Sequence, residues 1–295
     1  MSTIQGARTQ HNDRPEFILK TELTKEFGVV EKPLTVIERL YNNGAVRKTL
    51  LLVLLGVIWE WYATRLNNPL LVPTLTDTLK ALVDAVASGG LPGKAATSIR
   101  LLLQGYAIGL GLAMIFTGLA MTFTLGNDLL ETLTSMFNPL PAIALLPLAL
   151  IWFGLGDNSI IFVVVHSVLW AVALNTHSGF KSVSNTLRMV GRNYGLGGIR
   201  FVTKVLMPAA FPSILTGLKI GWAFAWRTLI AAELVYGAAS GQGGLGWFIY
   251  EAKNQLEIPS VFAGLFTVIM IGLLVENLIF RSIENRTIRK WGMQT

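Results

Sequence analysis

Among the charged side chains inside the long apolar stretches of this 295-residue sequence, Lys219, Arg227, Glu233 and Glu276 are the candidates for function. A charge at membrane depth costs at least a few kcal/mol, so such groups face protein or water and invite a functional reading. Arg227 offers the most chemistry, because its planar, permanently ionised fork can hold an oxyanion through parallel hydrogen bonds. Two readings stand for it: it faces a water-filled pathway and attracts an anion, or it partners a carboxylate or helix-end carbonyls on a neighbouring segment. Trp222 and Trp226, with Phe224, Trp152 and Phe153, could line the same path, although interfacial belts and packing use the same residues. Glu233 is six positions on, about 9 Å of helix rise and roughly 120° of rotation away, so it is poorly placed to pair with Arg227. It either joins that pathway or holds the outer loop around residues 243–246. Lys219 can snorkel to the interface and is given no transport role. His166 and His177 stand alone, without metal-ligand spacing, and read as packed or interfacial imidazoles. With no cysteine in the chain, disulfide, thiolate-metal and cysteine-nucleophile chemistry drop out together, and no metal site is expected. Gly90-Leu-Pro-Gly93-Lys94-Ala95 has the wrong spacing for a phosphate loop, and Ala follows its Lys. No catalytic residue emerges, so the chain is not expected to be an enzyme by itself.

These residues need a scaffold that lives in lipid. Hydrophobic residues make up 52% of the chain, charged residues 14%, and the mean hydropathy is +0.55, whereas soluble domains carry about 25% charged residues. Between Leu101 and Phe180 there is no Lys or Arg, and Asp128, Glu131 and Asp157 are the only charges. At about 20 apolar residues per crossing, six spans are predicted, at 49–66, 99–124, 130–153, 159–176, 209–235 and 259–281. The segment 177–208 carries Lys181, Arg188, Arg192, Arg200 and Lys204 without an acid, whereas 67–98 and 236–258 carry net charges of zero and minus one. Basic residues stay on the cytoplasmic side, which puts both termini there. The net charge of +7 is explained by the same rule, and no nucleic-acid partner is expected. Residues 1–48 lack the pattern of a signal peptide and read as a cytoplasmic tail. Within it Leu34, Ile37, Leu40 and Tyr41 form a stripe, either of an interfacial elbow helix or of a solvated tail. The domain organisation is then tail and elbow at 1–48, a membrane domain at 49–281, and a cytoplasmic tail at 282–295. A short outer helix and loop are expected over 73–98. Gly105-x-x-x-Gly109, Gly111, Gly118 and Gly217-x-x-x-Gly221 would let helix backbones approach closely. Pro139, Pro141 and Pro147 should kink or interrupt the third span.

The long loop between the fourth and fifth spans carries a second kind of chemistry, that of docking. Over 185–208 it reads as helix, glycine break, helix. Leu187, Val190 and Tyr194 share one face, Arg188 and Arg192 flank them, and Gly195 with Gly197-Gly198 makes the turn before Ile199 to Met207. A short basic and apolar helix lying along the membrane can dock into a groove on another protein.

This loop resembles the cytoplasmic signature of bacterial ABC importer permeases: Glu-Ala-Ala, three residues, Gly, nine residues, then Ile-x-Leu-Pro. The matching positions are Met189-Val190-Gly191, Gly195, Val205, Met207 and Pro208, so the spacing is kept while the Glu-Ala-Ala triplet is not. Leu215-Thr-Gly-Leu-Lys-Ile-Gly221, Thr228-Leu-Ile-Ala-Ala-Glu-Leu234, Gly243-Gly-Leu-Gly246 and Ile283-Glu-Asn-Arg-Thr-Ile-Arg-Lys-Trp-Gly292 resemble the nitrate, sulfonate, taurine and bicarbonate branch. The resemblance runs from about residue 50 to the end. It implies an all-α integral membrane protein with six transmembrane helices in the type I importer permease fold, and a coupling helix near 185–195. Leu187, Arg188, Met189, Val190, Gly191, Arg192, Tyr194, Gly195 and Pro208 are the coupling residues it implies. It also implies a second copy of the chain, two ATP-binding subunits using ATP and magnesium, and a periplasmic or lipid-anchored binding protein, all within membrane lipid at the bacterial inner membrane. The cargo would be a small anion: a sulfonate such as taurine first, then nitrate, bicarbonate or an aromatic acid. An ion-coupled secondary transporter is the alternative, but it calls for paired midplane sites in inverted repeats, and no such repeat is visible. A membrane anchor or assembly factor is the third reading, and it would leave the loop dispensable.

Overall fold

The computed structural model describes residues 42–240 and 243–292, and every regular element among them is a helix. The elbow helix expected at 33–41 lies outside the described residues. Among the described residues, those up to 55 and those from 56 onward fall into two units. The first supplies the exposed, leucine-rich start of α1 (Gly44–Leu66), and all that follows concerns the second.

Glu60, on the last turns of α1, accepts the backbone N–H of Leu75 at 2.7 Å and of Thr76 at 3.2 Å. With Thr74 as N-cap, these bonds satisfy the otherwise orphaned donors that open α2 (Leu75–Ala87). The loop expected before residue 99 shrinks to two residues, Ser88 and the left-handed Gly89 at φ +75°, because α3 (Gly90–Thr122) starts immediately after them. Pro92 falls in the first turn of α3, where no N–H is required of it.

Proline acts differently in the third predicted span. α4 (Thr124–Phe137) and α5 (Leu146–Phe153, led by the 3-10 turn Ala142–Leu145) meet at 90° across the Asn138-Pro139-Leu140-Pro141 break. The crossing expected at 130–153 is therefore a bent pair and not one helix. Both prolines deny a helical N–H, and the chain leaves helical backbone only after Asn138, which still sits at φ −63°, ψ −38°.

α6 (Asp157–Ser182) is the axis of the bundle and is buried along much of its length. Both small-residue motifs pack on it. A Cβ at Gly105 or Gly109 of α3 would come within 2.5 Å of Val164 or 2.7 Å of Val168. On α8 (Met207–Ser240), a Cβ at Gly217 or Gly221 would come within 2.7 Å of Asn175 or 2.9 Å of Val172. Gly111 and Gly118 border open space, so they serve no such approach.

Between α6 and α8 lies the loop helix α7 (Asn185–Asn193), and α8 is approached through a helical turn, Gly198–Phe201, and a π-helical stretch, Val202–Leu206. Pro208 has no N–H to offer that stretch, and the widened ladder ahead of it keeps the helix unbroken. α9 (Leu245–Asn254) and α10 (Ile258–Leu274) follow, and α10 runs through a π-helical stretch, Val275–Phe280, into α11 (Arg281–Arg286). Lys219 meets Glu284 of α11 at 2.6 Å and is only partly exposed, so it pairs where snorkelling was expected. Among the described residues five helices are long and apolar enough to cross a bilayer, or six if the bent α4–α5 pair counts as one span.

Candidate functional site

A cavity of about 380 Å³ opens where the α4–α5 break faces α6 and α8. From α8 come Phe224, Arg227, Thr228 and Ala231, whose spacing of three, four and seven puts them on one helical face. Arg227 is exposed on that face. Its Nε donates to the Ala223 carbonyl at 3.1 Å, and its guanidinium lies 5.1 Å from the centre of the Phe224 ring. Among the described residues no carboxylate pairs with it, so most of its five donors remain available. α6 contributes His166, Ser167 and Trp170. Ser167 Oγ lies 2.9 Å from Thr228 Oγ1 and 3.0 Å from the Val163 carbonyl, which ties α6 to α8 at the floor of the cavity. Phe137, the last residue of α4, stacks on Trp170 at 5.2 Å, and His166 stands edge-on to both rings. Nδ1 and Nε2 of His166 and Nε1 of Trp170 are buried without a hydrogen-bond partner among the described residues. Unpaired buried polar atoms are uncommon and costly.

Of the residues read as lining a pathway, Arg227 and Phe224 border this cavity, and Trp222, Trp226, Glu233, Trp152 and Phe153 do not. Trp226 faces α10, donating from Nε1 to the Val268 carbonyl at 3.2 Å. Trp222 packs edge-on against Tyr106 and Phe280. Glu233 is 0% exposed and shares the face of Trp226, not that of Arg227. Its Oε2 accepts the Gly246 N–H at 2.9 Å, and the Ser98 hydroxyl lies 2.8 Å from both carboxylate oxygens. Ser98 in turn accepts the Leu245 N–H at 2.9 Å. One buried carboxylate thus joins α3, α8 and the turn that opens α9. A Cβ on Gly244 would come within 2.1 Å of Ser98 Oγ, and one on Gly246 within 2.5 Å of the Ile230 carbonyl, so both glycines are needed for the turn to seat.

Sequence reasoning missed the contribution of α6. Thr228 was within reach as the neighbour of Arg227 on a helical face, and the Pro139/Pro141 pair marked the break. Trp170 lies in an apolar run that gives no sign of which side meets the cavity.

The second site is α7. Ser184 caps its first turn by accepting the Leu187 N–H, and Arg188 folds back to donate to the carbonyls of Phe180 at 2.5 Å and Val183 at 3.2 Å at the end of α6. Gly191 is buried, and a Cβ there would meet Phe201 at 2.9 Å and Val205 at 3.0 Å. Gly195, at φ +70°, ends the helix: its N–H bonds to the Arg192 carbonyl at 2.9 Å while the Leu196 N–H bonds to the Gly191 carbonyl at 3.1 Å. That is the Schellman pattern, which favours glycine at this position. Leu187, Met189, Val190 and Tyr194 are left exposed, Tyr194 at 82%. Arg192 is exposed beside them, and Pro208 lies in the first turn of α8, away from this surface.

Comparison with known proteins gives these two sites their setting. Residues 105–289 match the family described as the binding-protein-dependent transport system inner membrane component. The chain is similar to the taurine transport system permease protein of Escherichia coli, 32% identical over 80% of this chain and 86% of that one. It is also similar to the nitrate import permease protein of Synechocystis sp., 28% identical over 81% of this chain and 88% of that one. The matched region takes in α6, α7, α8 and every residue of both sites from Phe137 onward, and it gives the ion-coupled alternative no support. The chain accordingly belongs to the inner-membrane components of binding-protein-dependent transport systems, as the multi-pass permease, not the ATPase, of an ABC importer.

Proposed function

We propose that two copies of this chain form the pathway for a small anion, with sulfonates such as taurine the leading class and nitrate, bicarbonate or an aromatic acid the alternatives. The observation that carries this reading is Arg227, a cation without a carboxylate partner among the described residues, on the face of α8 that opens into the cavity. The names of the taurine and nitrate relatives point to the same chemistry. In this reading a periplasmic or lipid-anchored binding protein delivers the anion, and two ATPase subunits hydrolyse ATP with magnesium. Both termini face the cytoplasm, a reading supported by the acid-free basic segment at 177–208. The exposed apolar stripe of α7 sits in a groove of the ATPase. Closure of the ATPase pair then moves α7 and biases the bundle between inward-open and outward-open states.

The test is substrate-stimulated ATP hydrolysis by the permease, ATPase and binding protein together in lipid nanodiscs, with taurine as the first probe. Stimulation that vanishes in Gly195→Pro, which cannot adopt the left-handed conformation at the end of α7, supports the coupling role. Arg227→Gln should still assemble with the ATPase while anion uptake is lost. Unchanged uptake, or loss of the assembled complex, would remove Arg227 from the pathway.

A further inference from the structure

We infer that α2 is an interfacial helix, held by Glu60 at the level of the lipid headgroups on the end of the bundle away from α7, with lipid covering its Leu79, Val83 and Val86 stripe. The sequence places a helix and loop at 73–98 without setting their height. The last turns of α1 set it. Glu60 accepts the N–H groups of Leu75 and Thr76 and the Thr76 hydroxyl at 2.9 Å, and Trp59 Nε1 donates to the Pro73 carbonyl at 3.0 Å. α1 runs on from Glu60 to Leu66, about 9 Å of further rise, so the chain turns back over that distance before α2 begins. Trp59 also packs on Phe262 and Phe266 at 5.6 and 6.2 Å, in the first turns of the apolar α10. Beside Glu60, Trp61 and Tyr62 are exposed, and the Arg65 guanidinium lies 5.7 Å from the centre of the Trp61 ring. Aromatic and basic side chains together mark the headgroup level, and α2 opens at that level.

The faces of α2 agree with this height. Thr78, Leu82 and Ala85 turn to the core. One residue on, about 100° around the helix, Leu79, Val83 and Val86 form an exposed apolar stripe. Beyond it Lys80 and Asp84, with Asp77, form an exposed charged stripe. Three faces suit three media: protein, lipid and water. The turn before α2 adds exposed Leu70 and Leu71 to the apolar side. Because Ser88 and Gly89 alone separate α2 from α3, anchoring α2 also fixes the height at which α3 begins.

The chain has no cysteine, so one introduced thiol at a time can carry an environment-sensitive fluorophore on the full chain in lipid nanodiscs. The label on Leu79→Cys, Val83→Cys and Val86→Cys should emit at shorter wavelength than on Lys80→Cys and Asp84→Cys. At the three apolar positions a nitroxide carried near the lipid headgroup should quench it and aqueous iodide should not; the two charged positions should show the reverse. Glu60→Ala, which strands the Leu75 and Thr76 N–H groups, should open the label on Leu79→Cys to iodide. Iodide quenching at all five positions would put α2 clear of the membrane, and protection of the apolar stripe from both quenchers would mean that a second copy of the chain covers it; either result overturns the inference. Should Leu79→Cys fail to reach the membrane, Val83→Cys and Val86→Cys carry the test. An unchanged quenching pattern in Glu60→Ala would overturn Glu60 as the anchor.

Discussion

Arg227 and Glu233 stand six residues apart on α8, and the difference between them lies in what surrounds each. Glu233 is fully buried with Ser98 and the Gly246 N–H on its carboxylate, so its bonds cross from α8 to α3 and to the start of α9. Replacing it with Ala strands the Gly246 N–H in the interior, at a cost of about 1–3 kcal/mol. The thermal unfolding midpoint of the purified permease should fall by several degrees, since about 1 kcal/mol moves a chain of this size by roughly 2–4 °C. Gly246→Ala should fall comparably, because its methyl would press on the Ile230 carbonyl at 2.5 Å, and backbone cannot swing away. Arg227→Gln removes one bond from an exposed side chain and should leave the midpoint nearly unchanged, within about 0.5 kcal/mol. Scanning fluorimetry on the three variants separates the two charges: a large loss for Arg227→Gln or none for Glu233→Ala would reverse their roles.

Among the elements, α7 shows what a short helix can carry when its ends are fixed by others. Its N-terminus is capped by Ser184, its end is closed by Gly195, and Gly191 is pressed against Phe201 and Val205. The small third residue of the triplet is therefore a packing requirement, which explains why Gly serves here in place of Ala. Tyr194 is 82% exposed, and Leu187 and Val190 keep 40% and 44% of their surface open beside it. Tyr194→Asp and Leu187→Asp should give permease with wild-type yield and unfolding midpoint, while co-purifying ATPase falls by about tenfold or more, as expected when exposed apolar contacts at an interface core become charged. A stable ATPase complex in both would remove this stripe from the interface. The helix-glycine-helix pattern of this loop was legible because periodicity and left-handed glycines are local signals. Gly105, Gly109, Gly217 and Gly221 were legible as contact glycines, but nothing local distinguished them from Gly111 and Gly118, which face open space. The α4–α5 bend was half legible: the prolines announced a break, but a right angle comes from what the two halves pack against. The continuity of α8 back to Gly198 was not legible, because Pro208 resembles a boundary, and only the π-helical stretch ahead of it lets the helix pass.

For the whole molecule, α6, α7 and α8 act as one body. Arg188 binds α7 to the end of α6, Phe201 and Val205 clamp Gly191 to the approach of α8, and the Gly179, Gly217 and Gly221 contacts seat α8 on α6. The same two helices present Ser167, Trp170, Arg227 and Thr228 to the cavity, while the facing wall belongs to the α4–α5 pair. A displacement of α7 can therefore reach one wall of the cavity through the Arg188 and Gly191 contacts, which bypass the glycine break at 195–198, and packed interiors transmit strain with little compression. On the other wall, α4 is joined to α6 by the Glu131–Lys181 pair and by the 2.9 Å contact between His177 and Asn127. Nearer the break, Phe137 stacks on Trp170, and Ser159 of α6 donates to the Ala149 carbonyl of α5 at 3.1 Å. Arg188 is the link whose loss tests the path from α7 to the cavity. Arg188→Ala removes two hydrogen bonds between α7 and α6 without touching the exposed stripe or the cavity, so the ATPase should still bind and hydrolyse ATP. Anion uptake per ATP hydrolysed, measured in proteoliposomes, should fall severalfold, and Arg188→Lys, with one donor group in place of a fork, should recover only part of it. If uptake and hydrolysis decline in parallel, Arg188 serves assembly alone, and the movement of α7 must reach the cavity through Gly191 and the π-helical approach to α8.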